Sequence, residues 1–150
     1  MNGQKETSVL VDTCFLISLV NEGDAQHTDA ETYFRHFMTE KVPLYLSIIS
    51  LSEFQQKQDP EIIENFRVIT FGMDEVAAQH KHFGREIVSG LPAKERVSVK
   101  DDIKIIATCL AHKIEAVLSV NDDFNVLARG RSLRIIDYRV PLKNYLGQLL

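Results

Sequence analysis

Four acidic positions of this chain stand at the ends of apolar runs, far apart in sequence. They are Asp12 after 8–11, Glu53 after 44–49, Asp102 before 103–110, and Asp123 with its neighbour Asp122 after 116–120. If the runs are parallel strands and their connecting helices, the acids meet along the carboxyl edge of one sheet. Converging carboxylates repel unless protons or a cation neutralise them, and hard oxygen ligands without a Cys or His pattern favour Mg²⁺ or Mn²⁺. The pattern therefore predicts a divalent-cation site.

Each acid also has a simpler structural explanation. Asp12 can cap a following helix, and Asp102 can lie in a first helical turn, where the macrodipole favours an acid. Ser50 and Glu53 have the spacing of a capping box, and 121–123 (Asn-Asp-Asp) is a typical turn sequence. All four explanations still place the acids on the edge of the sheet where functional groups gather.

Composition is typical of one soluble globular domain covering 1–150, without a tail. The chain is 45% hydrophobic and carries 17 basic against 21 acidic side chains, a net charge of -4. Without the four acids the charges would balance, so the acidity is a property of the predicted site. Because an overall basic field is absent, a nucleic-acid partner would have to be held by a local patch and by metal.

The chain shows no sign of export or membrane insertion. Cys14 and Cys109 each lie within an apolar stretch, as small buried hydrophobes do in a reducing compartment, so we expect no disulfide. The polar segment 1–7 lacks the apolar core of a signal peptide, and no apolar run approaches the roughly 18 residues of a spanning helix. We therefore expect a cytoplasmic protein.

Strand and helix patterns alternate along the chain. The predicted strands are 9–11, 44–46, 67–71, 116–120 and 133–137. The predicted helices are one from Thr13 that ends near 21–23, 25–39, one that starts at Ser47 or Ser50 and ends near 58, 74–88 and 101–112. Residues 89–99, with Gly90 and Pro92, are predicted to form a flexible loop. This order favours a parallel sheet covered on both faces.

Four sequence segments together resemble the motifs of PIN-domain nucleases, in particular small toxins of the VapC type. They are Val11-Asp12-Thr13 with Leu16, 47–53 (SIISLSE), 102–109 (DIKIIATC) and 118–124 (LSVNDDF). The resemblance runs from about Val9 to Ile136. It implies a three-layer α/β/α domain with a central parallel sheet.

The resemblance also implies a Mg²⁺- or Mn²⁺-dependent endoribonuclease, and it assigns roles to single residues. Asp12, Glu53 and Asp102 match the family's metal-binding acids, and Thr13 and Ser119 match hydroxyl positions near the site. The partners it implies are RNA, an antitoxin protein and a second copy of the chain.

The fourth motif departs from the commoner pattern. Asn121 stands where many relatives carry Asp, while Asp123 is the acid before Phe124. The fourth ligand is therefore Asn121, Asp122 or Asp123, and the number of metals, one or two, stays open.

Two groups of cations flank the last two motifs and could hold phosphates near the acids. They are Lys94, Arg96, Lys100 and Lys104 before or within the third motif, and Arg129, Arg131 and Arg134 after the fourth. An ordinary solvated surface explains both groups equally well.

Two other classes of protein remain open. A receiver-type phosphoacceptor domain also gathers acids around Mg²⁺, but it needs an acidic pair near its first strand, where this chain has only Asp12. A PIN-like domain that binds RNA or protein without cutting is the second class, which Asn121 keeps open.

Overall fold

A computed structural model describes residues 8–54, 63–83 and 93–148, without the side chains of 52, 53, 93–100 and 148. The described strands are β1 Val9–Val11, β2 Leu44–Ser47, β3 Arg67–Ile69, β4 Ala116–Leu118 and β5 Arg134–Ile136. The described helices are α1 Thr13–Val20, α2 His27–Thr39, α3 Ile48–Phe54, α4 Met73–His82, α5 Ala93–His112, α6 Asp123–Leu127 and α7 Leu142–Gln148.

The five strands form one parallel sheet in the order β3-β2-β1-β4-β5. The central strand β1 pairs Val9 with Leu44 of β2 on one side and with Ala116 of β4 on the other. The expected parallel sheet is therefore confirmed, and all strands end at the same edge.

Both faces of the sheet are covered, because successive side chains of a strand point to opposite faces. Val9 and Val11 pack with Phe15 of α1 and Phe37 of α2 in one apolar cluster. Leu10, between the two valines, packs in a second cluster with residues of α5 and α6 that include Ile106 and Phe124. The result is the expected three-layer α/β/α architecture.

The connection before β4 differs from the sequence prediction. Residues 93–99, expected in a loop, form the first part of α5, while 84–92 lie outside the described residues. Ala93, Lys94, Glu95 and Arg96 are good helix formers, and Pro92 directly precedes them, which is typical of a helix start. α5 is therefore 20 residues long and Asp102 lies in its middle.

Cys14 and Cys109 are free thiols, as expected, and Cys109, a residue of α5, is fully buried. None of the described helices combines the length and apolar character that crossing a bilayer requires.

Candidate functional site

The strand order places a crevice between β1 and β4. From β1 the chain proceeds through β2 to β3 on one side of the sheet, whereas β4 and β5 lie on the other side. In an open parallel sheet, the loops that follow two neighbouring strands diverge at the point where the strand order reverses. Ligands bind in the crevice between these loops. Asp12 directly follows β1 and Ser119 directly follows β4, so both lie at this crevice.

The carboxylate of Asp12 is held by hydrogen bonds to both of its oxygens. Oδ1 accepts from the backbone N–H of Thr13 at 2.8 Å, which caps α1, and Oδ2 accepts from Oγ of Ser119 at 2.9 Å. Burial raises the pKa of Asp12, and these hydrogen bonds partly offset the rise. The capping explanation is thus correct for one oxygen, while the other connects β1 to β4.

Asp102 has no comparable structural explanation. It is the tenth residue of α5, so neither a helix cap nor the N-terminal macrodipole accounts for a carboxylate that is only 8% exposed. Burial raises the pKa of Asp102 to about 7, with further contributions from the nearby charges of Asp12 and Asp123. The prediction of a first-turn position was therefore wrong, and three acids from different elements lie within electrostatic range.

The fourth motif reaches Asp102 through Asn121. Its Nδ2 donates to Oδ2 of Asp102 over a long 3.4 Å, and its Oδ1 accepts from the backbone N–H of Asp123 at 3.0 Å. Because the oxygen of the amide is already used, Asn121 faces Asp102 as a donor. Asp123 is the better candidate for a ligand, whereas Asp122 is 84% exposed and lies 3.5 Å from Nη2 of Arg139.

Glu53 lies on α3, directly beyond β2, and its side chain is outside the described part of the chain. The capping-box explanation for it lacks support. α3 begins at Ile48, so Glu53 lies beyond the first turn, and Ser47 rather than Ser50 accepts a backbone N–H near the helix start, from Ile49 at 3.2 Å. The buried hydroxyl of Ser50 has no partner among the described residues.

The donor set fits a hard divalent cation. Carboxylates of Asp12, Asp102 and Asp123 are oxygen donors, and the buried Oγ1 of Thr13, beside Asp12, has no hydrogen-bond partner in the described structure. Among the described side chains no three acids, histidines or cysteines are close enough to hold an ion by themselves. A bound ion would thus need water ligands or the undescribed carboxylate of Glu53.

The predicted cation groups are placed differently. Lys94, Arg96 and Lys100 lie on the first half of α5, with their side chains outside the described part. Arg131 donates from Nη1 to the carbonyl of Leu127 at 2.7 Å and from Nη2 to that of His82 at 2.8 Å. Its guanidinium carbon also lies 4.2 Å from the ring centroid of Phe83.

Arg129 and Arg131 lie in the segment that enters β5, which is the amino edge of the sheet. Arg129 is exposed there, whereas the contacts of Arg131 favour a structural role. Phosphate binding by these two arginines stays a prediction that their placement does not favour. Lys104, for its part, lies 6.0 Å over the ring of Phe71.

One cation at the carboxyl edge was missed. Arg139 lies three residues beyond the end of β5 and forms a bidentate ion pair with Asp137. The signal was present in the sequence, because Arg139 follows its strand just as the acids follow theirs.

The comparisons with known proteins concern the fold. No protein-family model matches the sequence, and no curated protein matches it. Solved structures do match. FitAcB from Neisseria gonorrhoeae has a TM-score of 0.65 at 15% identity, covering 88% of this chain and 99% of that chain. VapBC2 from Rickettsia felis, bound to a DNA fragment of its promoter, has a TM-score of 0.63 at 13% identity, covering 87% and 99%.

A third similar structure is VapC20 from Mycobacterium tuberculosis, described as a Sarcin-Ricin loop cleaving toxin. It has a TM-score of 0.54 at 19% identity, and the match covers 79% of this chain and 93% of that chain. Identities this low establish the fold alone. The chain therefore has the PIN-domain fold found in VapC-type toxin–antitoxin structures.

Proposed function

We propose that this protein is a Mg²⁺- or Mn²⁺-dependent endoribonuclease and the toxin of a VapBC-type toxin–antitoxin pair. The observation that carries the proposal is Asp102, a buried carboxylate in the middle of a helix, with its pKa raised to about 7 beside Asp12 and Asp123. Such mutually repelling acids are relieved either by a proton or by a bound cation, and acids with raised pKa values gather at functional sites. The PIN-domain fold supports the same proposal.

The residues have distinct roles in this proposal. Asp12 and Asp102 hold the ion, Asp123 completes the site from the start of α6, and Glu53 binds the ion directly or through water. When bound, a divalent ion lowers the pKa of its water and neutralises charge that develops on the cleaved phosphate. Ser119 keeps the carboxylate of Asp12 oriented, and Asn121 does the same for Asp102.

The partners in this proposal are RNA, an antitoxin and a second copy of the chain. Several of the similar structures are complexes, including VapBC2 and a toxin-antitoxin complex from Klebsiella pneumoniae with a TM-score of 0.55 at 18% identity. These complexes support an antitoxin as a partner of this chain too.

The strand order argues against the receiver-type alternative. Receiver domains have the order 2-1-3-4-5, whereas this sheet has the order 3-2-1-4-5. A PIN-like domain that binds without cutting stays the second candidate, favoured by Asn121 in the fourth motif.

Cleavage of a labelled single-stranded RNA in Mn²⁺, by the wild type and by Asp12→Asn and Asp102→Asn, tests the proposal. We expect both substitutions to lower the rate by about 100-fold or more. Loss of a residue that only supports a metal ligand already costs up to about 100-fold, and loss of a ligand should cost at least as much. Asp29→Asn, on the first turn of α2, is the matched control and should leave the rate unchanged. Equal rates that are insensitive to EDTA would overturn the proposal, and Mn²⁺ binding without cleavage would favour the binding domain.

A further inference from the structure

We propose that Arg139 binds a phosphate of the RNA strand at the rim of the acidic crevice, an inference that rests on the proposed ribonuclease function. An acidic edge repels RNA, so a nuclease of this kind needs a cation beside its carboxylates. The side chains of Lys94, Arg96 and Lys100 are outside the described part of the chain, Arg129 and Arg131 lie at the amino edge of the sheet, and Lys104 lies over the ring of Phe71. Arg139 is the described arginine that pairs with an acid of the fourth motif.

The position of Arg139 follows from the topology. It lies three residues beyond β5, and β5 is parallel to β4, so both strands end at the same edge. Its Nη2 is 3.5 Å from Oδ1 of Asp122, the neighbour of Asn121 and Asp123. Arg139 therefore borders the same loop that contacts Asp102.

The orientation of the guanidinium is set by Asp137. Oδ1 of Asp137 accepts from the backbone N–H and from Nε of Arg139, both at 2.9 Å, and Oδ2 accepts from Nη2 at 2.7 Å. Nη1 makes no hydrogen bond within the described residues, and the side chain is 44% exposed. A guanidinium fixed along one edge offers its other edge to a phosphate with little further loss of side-chain entropy.

The contact with Asp122 does not prevent phosphate binding. At 3.5 Å it is long, and Asp122 is 84% exposed, so the pair is well solvated and contributes little. A phosphate can replace this carboxylate as the second anionic partner of Arg139 while the pair with Asp137 remains intact. Asp122 is thus a weak competitor of the RNA, and its removal should tighten binding.

The test uses the full chain with a fluorescent single-stranded RNA, in EDTA, at several salt concentrations. Arg139→Gln should weaken binding by about 10-fold and reduce the salt slope by about 0.7, the value for one phosphate contact on a single strand. Arg139→Lys keeps the charge, so the salt slope should be retained. The affinity should fall by about 2- to 5-fold, because lysine lacks the planar guanidinium that binds a phosphate through two hydrogen bonds. Asp122→Asn should tighten binding.

Arg35→Gln is the matched control, because Arg35 is also an exposed arginine paired with one carboxylate, Glu31 on α2. It should leave affinity and slope unchanged. In cleavage assays Arg139→Gln should raise KM with little change in kcat, whereas a purely structural role would lower the melting temperature or kcat instead.

The outcomes separate this inference from the proposed function. Wild-type binding that depends on Arg139 without any cleavage would retain the inference and reject the nuclease. Cleavage by the wild type with unaltered KM and slope in Arg139→Gln would reject the inference alone. No measurable RNA binding by the wild type would reject both.

Discussion

Oγ of Ser119 donates a hydrogen bond of 2.9 Å to Oδ2 of Asp12, joining residues that are 107 positions apart. The same hydroxyl accepts the backbone N–H of Asn121 at 3.0 Å. A single buried side chain therefore orients both the acid after β1 and the loop after β4. It connects the two sides of the crevice.

Replacing Ser119 with alanine should weaken Mn²⁺ binding as well as the fold. We expect a loss of about 1–2 kcal/mol in the free energy of unfolding and a roughly 10-fold weaker affinity for Mn²⁺, as for an outer-shell partner. Urea unfolding and calorimetric titration measure the two effects.

Ser18→Ala is the matched control, because the buried Ser18 bonds Asp24 and Tyr138 rather than a predicted metal ligand. Ser18→Ala should lower the free energy of unfolding without changing the affinity for Mn²⁺. Identical Mn²⁺ affinities in wild type and Ser119→Ala would show that this hydroxyl does not support a metal ligand.

Stability without metal should depend on pH through Asp102. Its pKa is raised from 3.8 to about 7 in the folded protein, so the folded state holds the proton more tightly than the unfolded state. The contribution of Asp102 to stability is therefore greatest below about pH 4, falls as the pH rises to about 7, and stays low above that.

Asp102→Asn removes this dependence, so in EDTA its melting temperature should exceed that of the wild type by several degrees at pH 8. One kcal/mol corresponds to roughly 2–4 °C in a chain of this size. The difference should shrink towards pH 4, and Mn²⁺ should stabilise the wild type more than the variant. Asp74→Asn, an exposed acid of α4, should show no such trend. A constant difference at all pH values would contradict the burial of an ionised Asp102.

A hydrogen-bonded contact between Glu75 of α4 and His112 of α5 should contribute to stability. Glu75 is 5% exposed, accepts the backbone N–H of Gly72 at 3.0 Å and lies 2.6 Å from Nε2 of His112. The side chain of His112 is 39% exposed, so solvent screens part of this contact, and Glu75→Ala should cost about 1–2 kcal/mol in urea unfolding at neutral pH.

The hydrogen bond from His112 lowers the pKa of Glu75, so its contribution is present above the unfolded value of 4.5 and is lost as the pH falls through the folded value. A double-mutant cycle of Glu75→Gln with His112→Gln should show coupling, while the cycle with His80→Gln, an exposed histidine of α4, should not. Equal coupling in the two cycles would refute a specific pair.

Arg131 should stabilise the fold without contributing to RNA binding. Its hydrogen bonds to the carbonyls of His82 and Leu127 and its contact with Phe83 connect the ends of α4 and α6. Arg131→Ala should cost roughly 2 kcal/mol of unfolding free energy and leave the salt slope of RNA binding unchanged. Arg129→Ala, the exposed neighbour, should change neither. A flatter salt slope with unchanged stability would restore Arg131 as a phosphate ligand.

Most of the fold could be predicted because strands buried on both faces appear as short apolar runs between helical patterns. β1 has the predicted limits, α1 ends at Val20 just before the predicted end near 21–23, and β4 and β5 are shorter than predicted by one or two residues at the ends. The helices α6 and α7 were not predicted, because five and seven residues are too few to show a helical period clearly.

The position of Asp102 was harder to predict. The first half of α5 combines charged residues with Val97 and Val99 and lies after Gly90 and Pro92, so its composition resembles a loop. The helix was therefore predicted to begin at Asp101, which placed Asp102 in its first turn, whereas Asp102 is the tenth residue of α5. Arg139 was not predicted for a different reason, because it is 16 or more residues from the acids of the four motifs in sequence and meets the fourth motif only at the edge of the sheet.

The sequence by itself determined that strands and helices alternate and that acids stand after the strands, because both follow from local hydrophobic pattern and residue type. Only the tertiary structure decided which groups meet. Strand order brought the ends of β1 and β4 together, so Ser119 reaches Asp12, and the packing of α5 against the sheet buried Asp102 beside them. Strand order and helix packing depend on contacts between residues about 100 positions apart, and no local pattern records them.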